Sequence, residues 1–204
     1  MTKVDFKKTL KHLYNPKKVF ATVDVPEMQF LMVNGRGDPN TAQEYKDAIA
    51  ALYAVAYKMK FMSKIDLERD YVVPPLEGLW WAEDMATFTT REKSEWEWTM
   101  MIMVPEWITA TIFTDAIEQV RKAKNPVALD KVRLESYHEG LSVQIMHIGS
   151  YDDEGPILAE MHSAYIPENG LVRRGKHHEI YLSDPRRVAP EKLKTVLRQP
   201  VRLK

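Results

Sequence analysis

Two stretches of this chain, about 100 residues apart, run through the same order of elements, and that repeat limits the possible folds more than any other feature. The first opens with "MQFLMVNGRGD" (28–38), an apolar run ending in Gly and Asp that reads as a strand entering a turn. "TAQEYKDAIAALYAVAYKMKFM" (41–62) follows as a helix. Thr41 and Glu44 stand at capping-box spacing there, and Tyr45, Ile49, Leu52, Ala56 and Met59 form a stripe of period near 3.6. Two strand-like runs, "DYVVPPLEGLWW" and "WEWTMMIMVP", close the first copy, with "AEDMATFTTREKSE" (82–95) as their polar connection. The second copy opens with "LSVQIMHIGSYDDEG", continues with a helix over "PILAEMHSAYIPENG" entered at Pro156, and ends with "RGKHHEIYLSDP" and "KLKTVLRQPV". A helix over "TATIFTDAIEQVRKAKNP" separates the copies, with Ile112, Phe113, Ala116, Ile117 and Val120 on one side and Asn125-Pro126 as its stop. The expected fold class is α+β, with duplicated strand-helix-strand-strand modules in a pseudo-twofold arrangement around a central ligand pocket. Residues 1–27 are expected as an N-terminal extension. The domain covers 28–204, with a first module over about 28–105, a linking helix over 109–125 and a second module over about 132–204.

Composition narrows the function. With 45% apolar residues the chain can bury a proper core. Its 29 Lys and Arg balance 29 Asp and Glu, so it has no general attraction for nucleic acid or an anionic membrane. "DFKKTLKHLYNPKK" is a local basic run that a solvated helix face explains as well as a nucleic-acid contact. There is no cysteine, hence no disulfide framework or thiolate chemistry. Neither a leader nor an 18-residue apolar run is present, so the expected location is cytoplasmic, with no membrane partner. No cofactor is expected: "NGRGDPNT" lacks the Lys-Ser or Lys-Thr of a phosphate loop. No metal is expected either, because His177 and His178 are neighbours on a strand and point to opposite faces.

The strand at "HHEIYL" raises a sharper question. Alternation puts Glu179 and Tyr181 on one face and His178, Ile180 and Leu182 on the other, so one face must bury an acid beside an aromatic ring or leave both in water. If the repeat holds, Glu77 and Glu179 are approximate mates, one from each copy, near a cleft. All five tryptophans, Trp80, Trp81, Trp96, Trp98 and Trp107, fall between positions 80 and 107. Each indole taken alone reads equally well as core. As a group, with Tyr71, Tyr137, Tyr181 and the two glutamates on neighbouring strands, they suit a flat cationic or electron-poor guest through cation–π attraction, stacking and one charge partner. His147, at a strand end, reads as a hydrogen-bonded structural histidine or a ligand contact.

"PPLEGLWW", "EWEWTMMIMVP", "EGLSVQIMHIGSYDDEG" and "HHEIYLSDPRRVAPEKLKTVLRQP" together resemble a stand-alone member of the GyrI-like small-molecule-binding family, related to the effector domains of MerR- and AraC-type multidrug regulators. The likeness runs from about Met28 onward. It implies the duplicated fold described above and a lipophilic or cationic xenobiotic as ligand. In the drug-binding regulators a pocket glutamate meets the cationic guest, and the strand carrying Glu179 resembles the strand that carries it. Some stand-alone members are cyclopropanoid cyclopropyl hydrolases, which open the ring of DNA-alkylating compounds inside an aromatic cage. Carried over, that chemistry makes Glu179 the group that orients or deprotonates a water and Tyr181 a hydrogen-bonding partner of that water or of the guest. Trp81 and Trp98 become cage walls, with Tyr71, Glu77, Trp96, Tyr137 and His147 as further ligand contacts. Detoxifying hydrolysis and plain binding, whether to sequester a ligand or to report it to a transcription partner, need the same residue types, and both remain open at this stage. The oligomeric state is not readable.

Overall fold

The computed structural model describes residues 2–83 and 92–204, so part of the expected 82–95 connection lies outside the described residues. The chain divides into two compact units that share no simple boundary in sequence. The first comprises 1–6, 28–74 and 78–137, and the second 7–27, 75–77 and 138–204.

In the first unit, strand β1 (Ala21–Arg36) contributes its later half, helix α3 (Gln43–Asp66) follows, and strands β2 (Leu76–Trp81) and β3 (Glu97–Val104) close the copy. β1 and β3 pair antiparallel from Gln29↔Val104 to Arg36↔Glu97, and β2 lies on the other side of β3. The pairing buries Phe30, Leu31 and Val33 with Met100, Met101 and Ile102. Of the expected stripe on α3, Leu52, Ala56 and Met59 are buried, joined by Ala48, Ala51 and Val55, while Tyr45 and Ile49 are half-buried. The capping box at Thr41 and Glu44 does not form. Asp38 organises the entry instead: its Oδ1 accepts from the Asn40 backbone N–H at 2.9 Å and its carbonyl from Thr41 and Ala42, so the helix starts at Gln43 without a side-chain cap. Glu44 is left to pair with Lys131 at 2.7 Å. Helix α4 (Ala110–Ala123) is capped by Thr109, whose side chain accepts from the Ile112 N–H, and it buries Ala116 and Val120.

The second unit repeats the scheme. Strand β4 (Arg133–Ile148) leads into a helical segment that is α-helical over Gly155–Glu160 (α5), widens to a π-turn over Met161–Tyr165, and ends in one α-turn, Ile166–Glu168 (α6). A short β5 (Leu171–Arg173), β6 (His177–Tyr181) and β7 (Lys194–Leu203) follow, with the expected helical turn at Pro190–Lys192 before β7. β4 pairs antiparallel with β7 from Ser142↔Pro200 to Ile148↔Lys194, as β1 pairs with β3. β6 lies on the other side of β7, as β2 lies beside β3, so the duplicated strand-helix-strand-strand order is present in both units. Val143, Ile145, Leu197 and Val201 on one sheet face pack against Met161 and Ile166 of the helical segment. The stretch 7–27, expected as an extension, packs into this unit. It carries the short helices Phe6–Thr9 (α1, whose first residue belongs to the first unit) and Lys11–Tyr14 (α2), and Leu13 and Tyr14 are buried.

Candidate functional site

The two faces of β6 carry different chemistry, and the ladder registers say which face is which. Directly paired residues share a side. His178 therefore stands with Arg198 and Gln144, while Glu179 stands with Leu197 and Ile145, and Tyr181 with Thr195 and His147. Because Leu197 and Ile145 pack against the helical segment, Glu179 and Tyr181 lie on the helix-covered face of the second unit.

On the opposite face the side chains form a closed ionic network. His178 Nδ1 lies 3.0 Å from both Glu139 carboxyl oxygens, and its Nε2 lies 2.9 Å from Glu77 Oε2. Arg198 reaches Glu139 at 3.1 Å, Gln144 at 3.1 Å and the Leu13 carbonyl at 2.7 Å. The Tyr14 hydroxyl donates to Glu77 Oε1 at 2.9 Å. Burial alone would push the imidazole of His178 down; Glu139 first and then Glu77 outweigh it and raise it to about 9. Burial would also push Glu139 up, but the charges of His178 and Arg198 hold it at about 2. Burial, reinforced by Glu77, pushes the Tyr14 phenol up, so it stays a donor. Each strongly polar group here meets a complementary one, which is what a buried charge cluster needs to persist. Glu77 belongs to this network, and β6 separates it from Glu179: the supposed mates are not brought together.

The face carrying Glu179 is different in kind. The Tyr181 hydroxyl donates to Glu179 Oε2 at 2.7 Å, and His177 Nε2 stands 3.5 Å from Glu179 Oε1. The Tyr151 ring meets Tyr181 edge-on at 5.6 Å. Glu154 closes this group. It is 4% exposed and its Oε1 has no hydrogen-bond partner; burial first, and the nearby charge of Glu179 second, push its carboxyl up to about 10. The same causes, burial and then the charges of Glu154 and Glu179, push the Tyr151 phenol up to about 12. Both ring nitrogens of buried His177 lack a hydrogen-bond partner, and His162 meets that ring edge-on at 6.2 Å. Burial, then the charges of His177 and Arg173, lowers His162 to about 3, so its ring is neutral. A carboxylate beside a phenol, a protonated carboxyl and a histidine with unused nitrogens can hold a water, accept one proton and donate another. His147, expected as a structural histidine or a ligand contact, lies with Nε2 3.1 Å from the Ser150 carbonyl, in the turn that leads to Tyr151 and Glu154.

The aromatic residues of the first unit form separate groups. Trp98 is fully buried and its indole covers Gly35, opposite it in the β1–β3 ladder; a Cβ at Gly35 would fall inside that ring. Tyr45 meets Trp98 edge-on at 5.3 Å and Trp80 at 6.2 Å, and Trp96 meets Trp80 at 5.9 Å. Trp81, next to Trp80 on β2, alternates to the other face and is half-buried, as is Trp96. Tyr71 lies elsewhere, edge-on to Trp107 at 6.0 Å, with burial pushing its phenol well up. Trp107 in turn carries the Arg69 guanidinium 3.9 Å from its ring centroid and donates to Ser63. Tyr137 meets Phe30 edge-on at 6.5 Å. Sequence reasoning missed Glu139, Glu154 and Tyr151. Glu154 and Tyr151 were visible only as part of an acidic turn, and nothing in the sequence around Glu139 marks it as the partner of a histidine. Among the described residues no group of three or more His, Cys, Asp or Glu is placed to hold a metal, and no helix is long and apolar enough to cross a membrane.

Two strand-helix-strand-strand units, one bringing half-buried Glu179 and Tyr181 to the same group as buried Glu154, define the class of small-molecule-binding domains built on this repeat. The chain belongs to the GyrI-like small molecule binding domain family, which matches residues 20–202. It is similar to three solved structures from Listeria innocua. One, an uncharacterized conserved protein, is 43% identical with a TM-score of 0.91. Two, described as hydrolases, are 42% and 44% identical with TM-scores of 0.86 and 0.88. Each likeness covers 98% of this chain and 100% of the other. The C-terminal domain of EcmrR, 10% identical with a TM-score of 0.56 over 91% of this chain and 98% of its own, shares the fold. No curated protein matches the chain.

Proposed function

We propose that this protein binds flat lipophilic electrophiles and hydrolyses them, with a strained cyclopropane conjugated to a carbonyl as the substrate class and removal of DNA-alkylating compounds as the outcome. The reading places the chain with the cyclopropanoid cyclopropyl hydrolases. One observation carries it: Glu179 shares its face with Tyr181 at 2.7 Å and with His177 at 3.5 Å, so a water held there meets a base and a phenol together. The similarity to two Listeria innocua proteins described as hydrolases supports a hydrolytic reading over plain binding. A cyclopropyl ketone of this kind is already electrophilic, so the protein needs to exclude bulk water, position one water and stabilise the oxygen that gains charge. Glu179 takes the proton from the attacking water, and Tyr181 fixes the geometry of both.

The test is to incubate the purified protein with a panel of cyclopropane-bearing alkylators and cationic dyes and to follow the compounds by mass spectrometry. The expected result is a product of the cyclopropanes heavier by one water. Glu179→Gln and Tyr181→Phe should each slow its formation roughly 10²- to 10⁴-fold, the range for positioned acid–base groups, while guest affinity changes far less. Tight binding with every compound released unchanged would make the protein a sequestering module.

A further inference from the structure

Glu154 is a buried acid with no structural explanation. The other deeply buried carboxyls, Glu77 and Glu139, are held by His178, Arg198 and Tyr14. Glu154 lies beside the charges of Glu179 and Asp152, and against them stands only the neutral hydroxyl of Thr195 among the described residues. It stands at the start of α5, where a carboxylate would ordinarily cap the first turn, yet its side chain makes no capping hydrogen bond. An acid kept dry, uncapped and beside another acid costs stability at neutral pH, and such costs concentrate at working sites.

We infer that Glu154 is the proton donor of the site, handing its carboxyl proton to the guest oxygen that gathers charge as the ring opens. This inference rests on the hydrolytic reading above. In the step, the oxygen of water bonds to the ring CH2 and the strained C–C bond breaks. Its electron pair moves through the conjugated system to the carbonyl oxygen. Glu179 takes the proton that water loses, Glu154 gives its own to that oxygen, and the product is a phenol bearing a new alcohol. Exchange with solvent then moves one proton off Glu179 and one onto Glu154. The division of labour follows from the contacts: Glu179 has a phenol donor on one oxygen and an imidazole near the other, whereas Glu154 Oε1 has neither.

Four measurements on the full chain test it. Infrared difference spectra of wild type minus Glu154→Gln at pH 8 should show the carbonyl band of a protonated carboxyl. Turnover of a cyclopropyl dienone should fall roughly 100-fold or more in Glu154→Gln, with guest affinity kept within about threefold, since the amide still donates a hydrogen bond but has no proton to transfer. That loss should shrink across a series of dienones that release progressively more acidic phenols, and wild-type turnover should decline above pH about 10. Absence of the acid band, or turnover equal to wild type in the variant, overturns the assignment while leaving the hydrolytic reading intact. Failure of wild type to convert any dienone removes the hydrolytic reading and the role of Glu154 with it. The pH profile needs only wild type, so a turnover that does not decline above pH about 10 overturns the assignment even where the variant folds poorly.

Discussion

At the scale of single residues, neighbours in sequence do opposite jobs. His178 and Glu179 are adjacent, yet one is locked between two carboxyl groups and the other accepts a hydrogen bond from a phenol. If Glu179 is the charge partner of a cationic guest, Glu179→Gln should weaken a cationic dye by about 1.5–3 kcal/mol and a neutral analogue of the same shape much less. Fluorescence titration of both dyes checks this, and equal losses would assign the residue a structural role. Trp98 was expected as a cage wall. It is fully buried over Gly35, so its first duty is packing. Trp98→Ala should cost about 3–5 kcal/mol in urea unfolding, as emptied aromatic sites do, before any effect on guests is read. Gly35→Ala forces a methyl group into the same indole, and about 1–3 kcal/mol of destabilisation is expected.

At the scale of elements, the reach of each interaction decides what the sequence reveals. The strand over "HHEIYL" and its two faces are legible because the rule is local: a period of two sets which side chains stand together, and Glu179 and Tyr181 do meet. The repeat was legible from the order of strands and helices, although the cap of α3 was not. Thr41 and Glu44 had the right spacing, but Asp38 three residues earlier captured the backbone donors first. The ionic network could not be read, because its bonds join residues 39, 101 and 59 positions apart and alternation says nothing about distant partners. Removing one partner exposes how much depends on the cluster. Glu139→Gln leaves His178 and Arg198 without their shared counter-charge, and a loss of about 3–5 kcal/mol is expected from urea unfolding monitored by tryptophan fluorescence.

At the scale of the whole molecule, the balance of 29 basic and 29 acidic residues leaves the pH response to a few buried groups. His178 titrates at about 9 when folded against an ordinary 6.5, so the folded state binds the extra proton between those values. Its contribution is complete below about pH 6.5 and is lost as pH rises through about 9. Glu139 works the other way: it titrates at about 2 against 4.5, so its contribution is present above 4.5 and lost as pH falls through about 2. Melting temperatures across the pH range should therefore fall on both the acid and the alkaline side. His178→Gln should flatten the alkaline fall, leaving the slope due to Glu154, which should be absent in Glu154→Gln. The same cluster also sets an order of assembly. Arg198 holds the carbonyl of Leu13 across a separation of 185 residues, whereas the β1–β3 ladder of the first unit is complete once Val104 is made. On a ribosome, the early segment that carries Leu13 must wait for its partner Arg198 until β7 has emerged, with the Leu13 side chain not yet buried. A chain stalled before β7 would thus expose its beginning as well as its end, and the quality-control machinery of the cell would meet it at both.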